Sequence, residues 1–253
     1  MLANKVILIT GGLGRLGLAI AQAVEEYGGT PILTSRDQKK VDDFNEKAEE
    51  IKSKACARLL QPDDEGEVKK FIQQLVKEYP RIDGLVNNAY PHLSYKGVEE
   101  VSWDHWMESS RITLGLPLTL STELISNQTG LNSIVNMSSM YGVVAPDFNM
   151  YPEGRKPSTI YYGTMKAALI QQTRYLAAYL ADKGKGVRVN AVSPGGVFDN
   201  QDEVFLERYN ATVPMKRMVT REEVANTVCF LLGAGSSGIT GENILIDCGR
   251  TII

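Results

Sequence analysis

Short apolar, β-branched runs alternate with stretches whose apolar positions recur every three or four residues, from one end of the chain to the other. The runs at 6–10, 31–35, 55–60, 84–87, 133–138, 187–192 and 243–247 predict strands. The stretches at 16–27, 38–52, 65–78, 102–126, 161–183 and 220–232 carry the helical period, and 203–210 is a shorter one. Strands bounded by Gly, Pro or Asn and alternating with helices predict an α/β fold: a doubly wound parallel sheet of the Rossmann type, about seven strands with helices on both faces. No linker or low-complexity tract divides the chain, so residues 1–253 are expected to form a single domain. Two irregular stretches interrupt the alternation, a proline-rich insertion at 145–159 and a lid at about 194–212. Both follow strand ends, where open α/β sheets bind ligands.

The first strand runs into Thr10-Gly11-Gly12-Leu13-Gly14-Arg15-Leu16-Gly17 and then into a helix. Glycines let the backbone turn sharply and approach a pyrophosphate, and a helix N-terminus supplies free N–H groups and partial positive charge for the anion. Gly11, Leu13, Gly14, Arg15, Leu16 and Gly17 are therefore expected to hold a dinucleotide. The next strand ends Leu33-Thr34-Ser35-Arg36-Asp37. A basic residue there favours a ribose 2′-phosphate over a free 2′-OH, so Ser35 and Arg36, with Arg15 reaching the same phosphate, favour NADP(H) over NAD(H). Asp37 is expected to cap the helix at 38–52.

Tyr162 and Lys166 lie one helical turn apart on one face of the stretch at 161–183, and Ser138-Ser139 closes the strand before it. An ammonium near a phenol favours the phenolate, which suits a group that trades a proton with a carbonyl or alcohol oxygen while hydride moves at the adjacent carbon. Ser139, Tyr162 and Lys166 are the expected catalytic set, with Ser139 bonding the substrate oxygen and Lys166 also reaching the nicotinamide ribose.

Composition narrows the alternatives. A net charge of −3 and the lack of a Lys/Arg run argue against nucleic acid. Neither of the two histidines, His92 and His105, has metal-ligand spacing, and three cysteines without C-x-x-C spacing argue against a disulfide framework, so no metal is expected. A strand that begins almost at the first residue leaves no room for a signal peptide, and no apolar stretch nears the roughly 20 residues of a membrane span. The expectation is a cytoplasmic protein.

Taken together, the glycine turn, Asn87-Asn88-Ala89, Asn136-Met137-Ser138-Ser139-Met140-Tyr141-Gly142, Tyr162 with Lys166, Arg188-Val189-Asn190-Ala191-Val192-Ser193-Pro194-Gly195-Gly196-Val197 and the ending Ile239-Thr240-Gly241-Glu242 resemble the short-chain dehydrogenase/reductase family. The likeness covers essentially the whole chain. It implies that Asn88 and Ala89 line the adenosine side, that Pro194, Gly195 and Val197 contact the nicotinamide end, and that the enzyme is a homo-oligomer, a dimer or tetramer. Asn87-Asn88-Ala89-Tyr90-Pro91 and the segment after Ser139 look similar to members associated with flagellin or surface-glycan sugar modification.

Several positions depart from the compact branch. The turn has the extended, nucleotide-sugar form, with Arg15 at a glycine position. Gln61, followed by Pro62, replaces the acid that faces adenine. Tyr90 stands at a glycine position beside the cofactor. The helical asparagine of the catalytic set is missing, and Arg111 or Ser110 takes its place. Ser139 and Tyr162 are 23 residues apart, a longer gap than compact members have, and the insertion within it carries Asp147, Asn149, Tyr151, Glu153, Arg155 and Lys156. Such a set suits hydroxyls and an anionic group. Tyr90, Arg111, Arg155 and Lys156 are the expected substrate contacts, and a polar, sugar-derived substrate is the expectation. The alternatives are an NAD-dependent dehydrogenase of a generic hydroxy or keto compound and a non-catalytic dinucleotide sensor on the same fold.

Overall fold

The apolar runs form a seven-stranded parallel sheet in the order β3-β2-β1-β4-β5-β6-β7, buried on both faces in its central strands. The computed structural model describes residues 1–91, 97–127, 130–151 and 157–253. The strands are β1 (Val6–Ile9), β2 (Thr30–Ser35), β3 (Cys56–Leu59), β4 (Gly84–Asn87), β5 (Ser133–Met137), β6 (Arg188–Pro194) and β7 (Asn243–Ile246). Each lies within two residues of its expected bounds. The order reverses beside β1, which pairs with β2 on one side and β4 on the other, opening a crevice at their carboxyl ends.

Alternate residues of each strand feed opposite layers. Ile7 and Ile9 of β1 pack with Ile20 and Val24 of α1 (Arg15–Glu26) and Val224 and Val228 of α8 (Arg221–Leu232). Leu8 faces the other way, toward Ile72 of α3 (Glu65–Glu78), Leu120 of α5 (Leu116–Asn127) and Leu176 of α6 (Ile160–Asp182). The remaining helices are α2 (Gln38–Glu50), α4 (Trp103–Ser110) and α7 (Glu203–Ala211). Asp37 caps α2 as expected, its side chain accepting from Lys40 N at 3.2 Å.

The helix expected at 102–126 is divided. Between α4 and α5 the residues Arg111–Gly115 form a π-helical turn. Pro117 explains the break: it has no N–H to give the carbonyl four residues earlier, and its ring crowds that carbonyl. Among the described residues no helix is long and apolar enough to cross a membrane.

Candidate active site

The carboxyl end of β5 and the first turns of α6 meet because Ser138 joins them. Its N–H donates to Val192 O at 2.7 Å and its hydroxyl to Lys166 O at 2.8 Å. Lys166 is buried, and its Nζ donates to Met137 O at 2.6 Å. The ring of Tyr162, half-buried on the preceding turn, has its centroid 5.8 Å from that nitrogen. Tyr90 closes the other side, 5.3 Å from the nitrogen and edge-to-face with Tyr162 at 5.0 Å between centroids. Burial pushes the Lys166 ammonium down from its ordinary 10.5 to about 8. Ser139 is buried beside them, its Oγ accepting from Tyr141 N at 3.2 Å. Ser139, Tyr162, Lys166 and Tyr90 thus gather around one strand end.

Behind them runs a support that single motifs did not reveal. Asn87 Nδ2 donates to Asn136 Oδ1 at 2.7 Å, Asn136 Nδ2 to Thr173 Oγ1 at 2.8 Å, and Thr173 Oγ1 to Leu169 O at 2.8 Å. This chain of bonds fixes β4, β5 and α6 relative to one another. The asparagines were visible as family motifs, but Thr173 is 37 residues from its partner and carries no local signal. Buried Ser109 and Thr113 were likewise missed, although both lie near the position where the helical asparagine was sought.

At the switch point the glycine turn is built for close approach. Gly11 has φ +60°, and a Cβ on Gly17 would lie 2.5 Å from Gly11 O and 2.6 Å from Gly12 Cα. Gly14, just before α1, offers no side-chain cap, which leaves the first N–H groups of the helix for an anion. Leu13 and Leu16 pack against the core, so their offer to a phosphate is the backbone. The residues therefore fit a dinucleotide diphosphate. Gly17→Ala is expected to weaken NADPH or NADH binding at least about tenfold and to destabilise the fold by about 1–3 kcal/mol, checked by fluorescence titration and thermal melting.

Some expected contacts have other partners. Asn88 staples the turn to β4: its Nδ2 donates to Thr10 O at 3.0 Å and Gly11 O at 3.1 Å, while the N–H groups of Asn88 and Ala89 both donate to Thr10 Oγ1 at 3.0 Å. Ser35 Oγ accepts from Asp37 N at 3.2 Å, and Arg36 is exposed beside it. Gln61, just before Pro62, uses Nε2 to bond Arg36 O at 3.0 Å. Arg15 is not turned toward Ser35 and Arg36; it forms an ion pair with Asp199, beyond β6. Arg111 does not take the asparagine's place either. From the π-helical turn it swings to Asp63, with a hydrogen bond of 2.9 Å to the carbonyl and an ion pair at 3.4 Å. Its expected substrate contact is therefore corrected to a contact with the segment after β3. Arg155 and Lys156, like Glu153 and residues 92–96, lie outside the described residues.

Pro194 ends β6, and Gly195 N donates to Ile246 O at 2.8 Å. Gly196 N donates to Tyr209 Oη of α7 at 2.6 Å, and Val197 bridges to Val219. The insertion rests on the same lid. Tyr141 and Tyr151 hydroxyls are 2.8 Å apart, Arg208 reaches the carbonyls of Asn149 and Tyr151 at 3.4 Å each, and Met150 is buried with its sulfur 3.5 Å from Thr212 Oγ1. Asp147 accepts from Asn149 N at 3.0 Å and pairs with Arg250 at 3.8 Å. The polar groups of the described part of the insertion are thus used largely within the protein.

Comparison with known proteins decides what this arrangement is. The family model described as enoyl-(acyl carrier protein) reductase matches residues 14–251. The chain is 30% identical to the post-translational flagellin modification protein A of Campylobacter coli, over 98% of this chain and 99% of that one. It belongs to the short-chain dehydrogenase/reductase family. This short-chain enzyme also resembles a solved short chain dehydrogenase of Leptospira borgpetersenii with bound NAD+, at 29% identity and TM-score 0.84, covering 98% of this chain and 93% of that one. A second structure, the Pseudomonas aeruginosa RhlG/NADP active-site complex, matches at 26% identity and TM-score 0.85, covering 98% and 97%. The family's nicotinamide oxidoreductase chemistry therefore applies to this short-chain dehydrogenase/reductase, and its neighbours include both an NAD-bound and an NADP-bound member.

Proposed function

We propose that the protein is an NADP(H)-dependent oxidoreductase that interconverts a carbonyl and a secondary alcohol on a polar, sugar-derived substrate. The observation that carries this reading is the Tyr162 ring 5.8 Å from the buried Lys166 ammonium, which is held by the Met137 carbonyl two residues before buried Ser139. The nicotinamide, when bound, supplies or accepts the hydride. Tyr162 gives its proton to the substrate oxygen in reduction and takes it back in oxidation. Ser139 donates to the same oxygen and fixes its position. Lys166, held by Met137 O, lends positive charge that favours the phenolate. Tyr90 packs against both and narrows the space above them.

The sugar-derived substrate rests on the extended-type turn and on the likeness to a flagellin modification protein. Assembly into a homo-oligomer is supported by apolar side chains open to solvent on α4 and α6, among them Trp103 at 87% and Tyr175 at 72% exposure. A cavity of about 670 Å³ lined by Val98, Val143, Pro146, Phe148 and Ile160 has none of Ser139, Tyr162 or Lys166 in its wall, and adds to that apolar surface. We read the chain as one catalytic domain working in the cytoplasm on a small molecule, with neither nucleic acid nor membrane as partner.

NADP(H) is favoured through Arg36 and Ser35. Arg36→Ala is expected to weaken NADPH binding about tenfold or more and to leave NADH binding unchanged, in parallel fluorescence titrations. The pairing of Arg15 with Asp199 withdraws one of the two cations expected at the 2′-phosphate, and it favours the second reading, an NAD-dependent enzyme. Tighter binding of NADH than NADPH by the wild type decides for that second reading. A screen of keto-sugars and sugar phosphates, read at the nicotinamide absorbance, tests the substrate class.

A further inference from the structure

The ion pairs of Asp199 join three elements that meet at the dinucleotide crevice. One carboxylate oxygen pairs with Arg15, the first residue of α1, and the other with Arg221, the first residue of α8. Asp199 is about one-fifth exposed, with side-chain accessibility of 21%, whereas Arg15 reaches through solvent at 75%. The turn that presents the acid is braced: Asp199 N donates to Gln201 Oε1 at 2.9 Å, and Gln201 Nε2 to Val197 O at 2.8 Å.

In the sheet, β1 and β6 are separated by β4 and β5. At about 4.8 Å per strand spacing, the two strand ends are roughly 14 Å apart. Arg15 and Arg221 begin α1 and α8, which pack against each other, so Asp199 ties the loop after β6 to two neighbouring helix N-termini, one of them at the glycine turn. A dinucleotide held by the glycine turn lies against the helix N-terminus that carries Arg15.

We propose that Arg15, Asp199 and Arg221 form a clasp across the mouth of the crevice, which must open for the cofactor to enter or leave. The proposal rests on the dinucleotide reading of the glycine turn. Closed, the two guanidinium groups more than neutralise the carboxylate and leave net positive charge above the diphosphate. Open, the carboxylate keeps Arg221 alone, and the net positive charge beside the diphosphate is lost. The pair therefore sets the rate of exchange, and Asp199 acts as a positioning residue for the lid, not on the reacting atoms.

The test is stopped-flow binding and release of NADPH and of NADH, followed by nicotinamide fluorescence at low and high salt. The proteins are the wild type, Asp199→Asn, Asp199→Glu and Arg221→Gln, with thermal melts confirming that each folds. Asp199→Asn is expected to speed both association and release about fivefold and to remove most of the salt acceleration seen in the wild type. Arg221→Gln moves the rates the same way by less, and Asp199→Glu, which keeps the charge, restores most of the salt response. Unchanged rates, or slower release from Asp199→Asn, overturn the clasp; slower release is the result of an acid that only repels the diphosphate. A wild type that binds neither nucleotide overturns the dinucleotide reading and the clasp with it.

Discussion

Tyr162→Phe is expected to lower turnover about a thousandfold while NADPH and NADH titrations of the variant overlay those of the wild type. The ring stays and so do its contacts with Tyr90 and Lys166, whose geometry depends on the ring faces and not on the hydroxyl. What is lost is the one proton donor that the proposed reaction places at the substrate oxygen. Positioning by Ser139 and by the bound nucleotide persists, which is why the loss has a floor. Single-turnover kinetics with a substrate found in the screen, alongside the titrations, separate the two effects. Equal turnover in the variant removes Tyr162 from the chemistry, and a joint loss of binding assigns the hydroxyl to the cofactor instead.

Lys166→Met is expected to abolish turnover and yet to raise stability at pH 7 by about 2 kcal/mol. Burial lowers this ammonium from 10.5 to about 8, which corresponds to about 3 kcal/mol of cost to the folded state wherever the group is charged in both states. Loss of the bond to Met137 O offsets about 1 kcal/mol of the gain. The sign with pH follows from proton binding. Below about pH 8 the lysine is protonated folded and unfolded, and the cost is fully present. Between there and 10.5 the unfolded chain holds more protons than the folded one, so wild-type stability recovers relative to the variant as pH rises. Denaturant unfolding of both proteins at pH 7 and near pH 10 checks this: the variant's advantage shrinks at the higher pH. An advantage that is absent at pH 7 or grows with pH contradicts the desolvation account. Such a result would place the stabilising contacts of Tyr90, Tyr162 and Met137 above the burial cost.

Much of the fold and part of the site were legible because their signals are local. Strand runs, the cap at Asp37 and the shared face of Tyr162 and Lys166 follow from periods of two and 3.6 residues and from the chemistry of neighbours in the chain. What escaped depends on distant partners. Arg15 and Asp199 are 184 positions apart, and nothing near either one announces the other. Arg111 stands near the place of the family's helical asparagine in the sequence, whereas in the π turn before Pro117 its guanidinium meets Asp63. Asn88 carries a family motif, but the motif does not say that the amide spends its hydrogens on Thr10 and Gly11. Tyr90 was seen as crowding; its role as a wall for the ammonium needed the aromatic geometry.

The fastening of the insertion to the lid bears on how substrate range can change. Met150 and Tyr151 sit against Thr212 and Phe205, and Arg208 holds the backbone between them. A graft that exchanges residues 145–151 alone strands those partners without their counterparts, so a transplant of specificity has to carry α7 along with it. The two stretches are fastened as one unit, and an exchange that keeps these contacts has to move both.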